Sequence, residues 1–118
     1  MCGIAGIFNY QKDPVSEDGL KKMTWMVKHR GPDDEGFWTD GFIGLGHRRL
    51  AIMDLTSAAH QPMVSDDGCY VIIYNGEVYN FGELKAQLES QGYLFHSASD
   101  TEVVLNAWSF WGRDALLK

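Results

Sequence analysis

The stretch that most constrains what this chain can fold into is its start, Met1-Cys2-Gly3-Ile4-Ala5-Gly6-Ile7-Phe8. A short, continuous apolar run reads as a buried strand, and its glycine and alanine positions suit close packing on both faces. Because the strand begins so early, Cys2 stands at its very end, one bond from the chain start. If Met1 is lost, Cys2 carries a thiol and a free α-amine together. That amine, with a pKa of roughly 7.7–8.0, can accept the thiol proton or relay one to a leaving group. Nucleophile and base then belong to one residue. A free cysteine at a strand start also reads as a small packed apolar residue. The run alone does not choose between the two.

At 118 residues the chain is one domain or part of one. Its 45% hydrophobic and 13% aromatic content suits a folded core. A formal net charge of −6 argues against nucleic-acid or anionic-membrane partners, which want a basic face. No apolar stretch approaches the roughly 20 residues of a membrane span, and the start lacks the pattern of a signal peptide. Two cysteines, Cys2 and Cys69, make neither a disulfide framework nor a metal-ligand spacing. The expected setting is the reducing cytoplasm, with no metal.

Local pattern predicts a strand over residues 3–9 and, after Pro14, a helix over 17–29. Ser16 is its N-cap, Glu17 and Asp18 lie in its first turn, and Leu20, Met23, Met26 and Val27 form its apolar stripe. Gly31-Pro32 stops that helix, and the polar run around it reads as solvated loop. Strands are expected over 37–39 and 42–50, joined by a tight turn at Asp40-Gly41. Arg48 and Arg49, at the end of the second of these, read by default as surface caps. A turn at Asp66-Asp67-Gly68 leads into what reads as the clearest strand, over 69–74. Asn80 with Glu83, and Ser99 with Glu102, have the spacing of capping boxes opening two helices. Leu84 and Leu88 face inward on the first, Val103, Val104, Ala107, Trp108 and Trp111 on the second. A short strand over 93–95 is expected between them. This order is an α+β layout, not strict βα alternation.

Taken together, the motifs are similar to those of the glutaminase domain of asparagine synthetase. That domain is a class II glutamine amidotransferase with the N-terminal nucleophile hydrolase fold. The resemblance runs through Met-Cys-Gly-Ile at 1–4, His-Arg-Gly-Pro-Asp at 29–33 and Gly-His-Arg-Arg-Leu-Ala-Ile at 46–52. It continues through Gln-Pro at 61–62, Asn-Gly-Glu-Val-Tyr-Asn at 75–80 and Ser-Asp-Thr-Glu at 99–102. It implies a four-layer αββα sandwich, of which residues 1–118 are the apparently truncated N-terminal part. It also implies hydrolysis of glutamine through a Cys2 thioester, which supplies ammonia for ATP-dependent asparagine synthesis from aspartate.

The resemblance makes Cys2 the nucleophile, and Asn75 and Gly76 the oxyanion donors. Arg49 matches the residue that grips the glutamine α-carboxylate, and Asp100 the one that pairs with its α-ammonium. Glu77 adds a polar contact, Leu50 and Ile52 contribute backbone groups and a wall, and Arg30 supports the nucleophile's loop. Each has an ordinary reading beside this one: Asn75-Gly76 as a turn, Asp100 as an acid favoured at a helix N-terminus. The four histidines are expected to be structural. No cofactor is expected in this segment; ATP and magnesium belong to the absent synthetase domain, which would be the ammonia-receiving partner. A homodimer is a further possible arrangement. The alternatives are an amidotransferase half serving another acceptor, such as a cell-surface sugar, or a catalytically silent glutamine-binding or assembly module.

Overall fold

The strand predicted at the chain start forms, and a sheet grows from it. In the computed structural model, which describes residues 1–52 and 54–118, β1 (Gly3–Phe8) is followed by the helix α1 (Glu17–Met26). Then come β2 (Asp34–Asp40) and β3 (Ile43–Arg49). The sheet is antiparallel with order β1-β3-β2, so β3 is central. Gly41, with φ +52°, makes the tight turn between β2 and β3, a backbone region open to glycine. These elements, with His60–Pro62 and Ile73–Asn75, form one of two compact units.

Glycines decide how α1 lies on this sheet. A Cβ at Gly44 would press on Val15 and Leu20, and one at Gly46 would overlap the Thr24 hydroxyl. The helix therefore sits close, and Leu20 and Thr24 are fully buried. Thr24 satisfies its hydroxyl by donating to the Leu20 carbonyl at 2.8 Å. The predicted stripe is corrected accordingly: Met23 and Met26 are exposed, and the buried line is Leu20, Thr24 and the half-buried Val27. Ser16 caps the helix as expected, accepting the Gly19 N–H at 3.1 Å. The α-helix ends at Met26, and residues 28–30 tighten into a 3₁₀ turn in place of the predicted last α-turn.

The second unit holds residues 54–59, Met63–Ile72 and Gly76–Lys118. Its hairpin pairs β4 (Met63–Val64) with β5 (Val71–Ile72), and the predicted turn between them carries Gly68 at φ +70°. The strand expected over 69–74 is thus only two residues long as a ladder. Residues 73–75 leave the hairpin for the first unit, where side chains hold their backbone. Next come α2 (Phe81–Ser90), α3 (Asp100–Trp111) and a terminal 3₁₀ turn, Gly112–Leu117. Leu84, Leu88, Val103 and Ala107 form the core, with Phe81, Tyr93, Phe95 and Trp111 packed on it. Tyr93 and Phe95 are therefore core contributors in irregular backbone, and the strand predicted there does not form. The mixture of antiparallel sheet and segregated helices is an α+β fold. Among the described residues, no helix is long and apolar enough to cross a membrane.

Candidate functional site

The end of β1 is fastened by two other segments of the first unit. Gly3 pairs with Arg48, which leaves Cys2 beside the chain as it exits β3. The Cys2 sulfur accepts the Leu50 N–H at 3.4 Å, and its thiol faces the Leu50 carbonyl at 3.8 Å. Arg30, from the 3₁₀ turn, donates Nε–H to the Cys2 carbonyl at 3.0 Å. Met1 is exposed ahead of these contacts.

The same loop grips the β3 exit. The Asp33 N–H donates to the Arg49 carbonyl at 3.0 Å, and the Asp33 carboxylate accepts the Ala51 N–H at 2.8 Å. Gly31 passes so close that a Cβ there would overlap the Arg48 backbone. The spacing of Arg30, Gly31 and Asp33 thus has a local reason: one side chain for each neighbouring segment, and no side chain between them.

Arg48 and Arg49 are both buried, which corrects the default reading of them as surface caps. They lie on the central strand, and β2 supplies acids directly opposite, Glu35 facing Arg48 and Asp34 facing Arg49. Arg48 pairs with Glu35, while its buried Nε has no partner among the described residues. Asp34 also reaches His60 at 2.7 Å. These acids explain why β2 starts at Asp34 and not at 37: its first residues answer charges on β3. Leu50 is half-buried and Ile52 is 72% exposed.

His47 and Gln61 are the polar residues whose contribution the sequence does not announce. His47 is buried on β3, and desolvation lowers its pKa to about 4, against the opposing pull of the Tyr74 carbonyl and Asp34. It is therefore neutral at pH 7, and its Nε2–H donates to the Tyr74 carbonyl at 3.3 Å, with Nδ1 unpartnered among the described residues. Gln61 is also buried, and its Oε1 accepts the Tyr74 N–H at 2.6 Å. Asn75 follows and is exposed.

The remaining predicted residues lie in the second unit. Gly76 and Glu77 are exposed, and Asp100 is buried as the first residue of α3. Its carboxylate accepts the Val78 N–H at 3.1 Å, which ties the backbone just past Glu77 to the helix start. Ser99 caps α3 by accepting the Thr101 N–H. Glu102 does not close the predicted box. Its carboxylate reaches further back, accepting the His96 and Ser97 N–H groups at 2.8 Å each and the Ser97 hydroxyl at 2.6 Å. Asn80 likewise makes no side-chain cap, because its amide donates to the Lys118 carbonyl at 2.9 Å. Among the described residues, no group of three or more His, Cys, Asp or Glu side chains converges as a metal site.

A thiol held against the backbone of a neighbouring strand exit is a candidate nucleophile. Comparison with known proteins narrows the chemistry. Residues 1–118 match the family described as "Glutamine amidotransferase domain". The chain is 42% identical over its whole length to the glutamine-hydrolyzing asparagine synthetase 1 of Bacillus subtilis strain 168. It is 39% identical over 98% of its length to the glutamine-hydrolyzing asparagine synthetase 3 of the same organism. With the glutamine-hydrolyzing asparagine synthetase of Brassica oleracea it shares 34% over 97%. In each case it spans 19% of the relative's own length.

Proposed function

The chain belongs to the glutamine amidotransferase domain family, and from that premise we propose that it carries the glutamine-splitting chemistry of a longer asparagine synthetase. The observation that carries the reading is the Cys2 thiol seated on the Leu50 amide. Once Met1 is removed, the Cys2 sulfur attacks the side-chain carbonyl carbon of glutamine. The thiol proton passes by way of the α-amine to the departing nitrogen, which leaves as ammonia. Water then cleaves the glutamyl thioester, releasing glutamate and restoring the thiol. In both steps charge grows on the former carbonyl oxygen, and the Asn75 amide with the Gly76 N–H stabilises it. Arg49 takes the α-carboxylate with its planar fork, a geometry that a lysine cannot reproduce. Asp100 takes the α-ammonium, Glu77 adds a polar contact, Leu50 and Ile52 line the substrate, and Arg30 steadies the nucleophile's carbonyl.

On this reading residues 1–118 are the N-terminal part of a glutaminase domain, built as a four-layer αββα sandwich. The sheet supports that architecture: the face away from α1 leaves Ile4 and Phe8 48% and 52% exposed, an apolar surface suited to a second sheet. The ammonia passes to a synthetase domain that uses ATP and magnesium to convert aspartate to asparagine, in a reducing cytoplasm that keeps Cys2 a thiol. The test is glutamine-dependent and ammonia-dependent asparagine synthesis by the full-length protein, with Cys2→Ala as the variant. Loss of glutamine use with ammonia use retained is the expected result. Continued glutamine hydrolysis by the variant would remove Cys2 from the mechanism. A wild-type protein that hydrolyses glutamine without making asparagine would point to another acceptor.

A further inference from the structure

Asn75 is exposed, and among the described residues its side chain makes no hydrogen bond, so its aim depends on the backbone that leads into it. That backbone is held in an unusual way. Among the described residues, 73–75 pair with no strand, yet both backbone polar groups of Tyr74 are taken by buried side chains. Gln61 holds the N–H and His47 holds the carbonyl, one on each side of the Tyr74 α-carbon. Fixing both peptide planes fixes φ and ψ of Tyr74, and with them the position from which the Asn75 side chain departs. Both holders belong to the first unit. His47 is on its central strand, directly opposite Gly36 on β2. The absence of a side chain at Gly36 makes room for the His60 ring and the Gln61 carbonyl on that face.

We propose that His47 and Gln61 are positioning residues for the oxyanion donor Asn75: a two-sided clasp on Tyr74 that holds the amide where negative charge develops. The inference rests on the amidotransferase reading above and goes further, because it assigns work to two residues that touch no substrate. A donor aimed from a fixed backbone stabilises the transition state without reorganising, whereas one on a loose segment must be ordered in each turnover. The clasp therefore acts on kcat and leaves glutamine binding nearly unchanged.

The experiment uses the full-length protein and two substitutions at His47. His47→Leu removes the donor, while His47→Gln keeps an amide N–H near the position of Nε2. Glutamine hydrolysis and amide hydrogen exchange across 73–76 are measured for both. His47→Leu should lower kcat by roughly ten- to a hundredfold, the scale of an ångström-sized misplacement, with little change in KM and with faster exchange. His47→Gln should recover most of both. Should His47→Leu not fold, Gln61→Met, which removes the acceptor, carries the same split between kcat and KM. Unchanged kcat in a folded variant overturns the proposal, as does a His47→Gln as slow as His47→Leu. A rise in KM at constant kcat overturns it too. If the wild-type protein does not hydrolyse glutamine while exchange still responds to His47, the amidotransferase reading fails and the clasp survives as a structural device.

Discussion

His47 sits among groups that disagree about its charge. Burial opposes protonation most strongly, and Arg49 and His60 add to that, while the Tyr74 carbonyl and the Asp34 carboxylate favour it. Burial wins, and the folded-state pKa falls from 6.5 to about 4. Below pH 6.5 the unfolded chain takes up a proton at this residue that the folded chain refuses until about pH 4. The stability His47 contributes is thus fully present above 6.5 and lost as the pH falls towards 4. The loss amounts to about 3 kcal/mol across that window. Denaturant unfolding at pH 7 and pH 5 should show the decline, and His47→Gln should flatten it. An equal decline in the variant would assign it to other groups. Little of this is legible in a sequence, where His47 is one of four histidines and its partner lies 27 residues away. Only position next to two arginines marks it, and that pattern reads as surface until the strand is known to be central.

At the level of elements, the sequence predicts helices and strands well where the signal is local and poorly where a neighbour decides. The cap at Ser16 and the turn at Gly41 come from residues within a few positions of each other, and both form. The buried stripe of α1 depends on the glycines of β3, which admit Thr24 and leave Met23 and Met26 outside. The strand over 69–74 has the right composition but finds a ladder partner for only two residues. Close approach is also the basis of a prediction. Gly31 has φ −142°, which any residue adopts, so Gly31→Ala is opposed only by overlap with the rigid Arg48 backbone. It should lower stability by about 1–3 kcal/mol and, by displacing Arg30 and Asp33, slow reaction of Cys2 with an alkylating reagent or substrate. Wild-type stability in Gly31→Ala would mean that the loop shifts freely.

For the molecule as a whole, the motifs identify a family because they are ordered along the chain, while the geometry explains them one neighbourhood at a time. Two compact units divide the predicted site residues between Asn75 and Gly76, a boundary that no composition change marks in the sequence. The apolar face of the sheet carries the prediction at this scale. If a second sheet covers it in the full-length protein, Phe8→Asp should cost well over the roughly 0.5 kcal/mol typical of a surface change, readable as a drop in the unfolding midpoint. A negligible effect would leave that face in water and remove the sandwich. The fastening of Cys2 bears on how the protein matures. Its carbonyl and sulfur are anchored while Met1 projects into solvent, so neither anchoring contact depends on the Met1 side chain. On the mechanism proposed above, exposing the Cys2 amine would therefore be a step separable from folding.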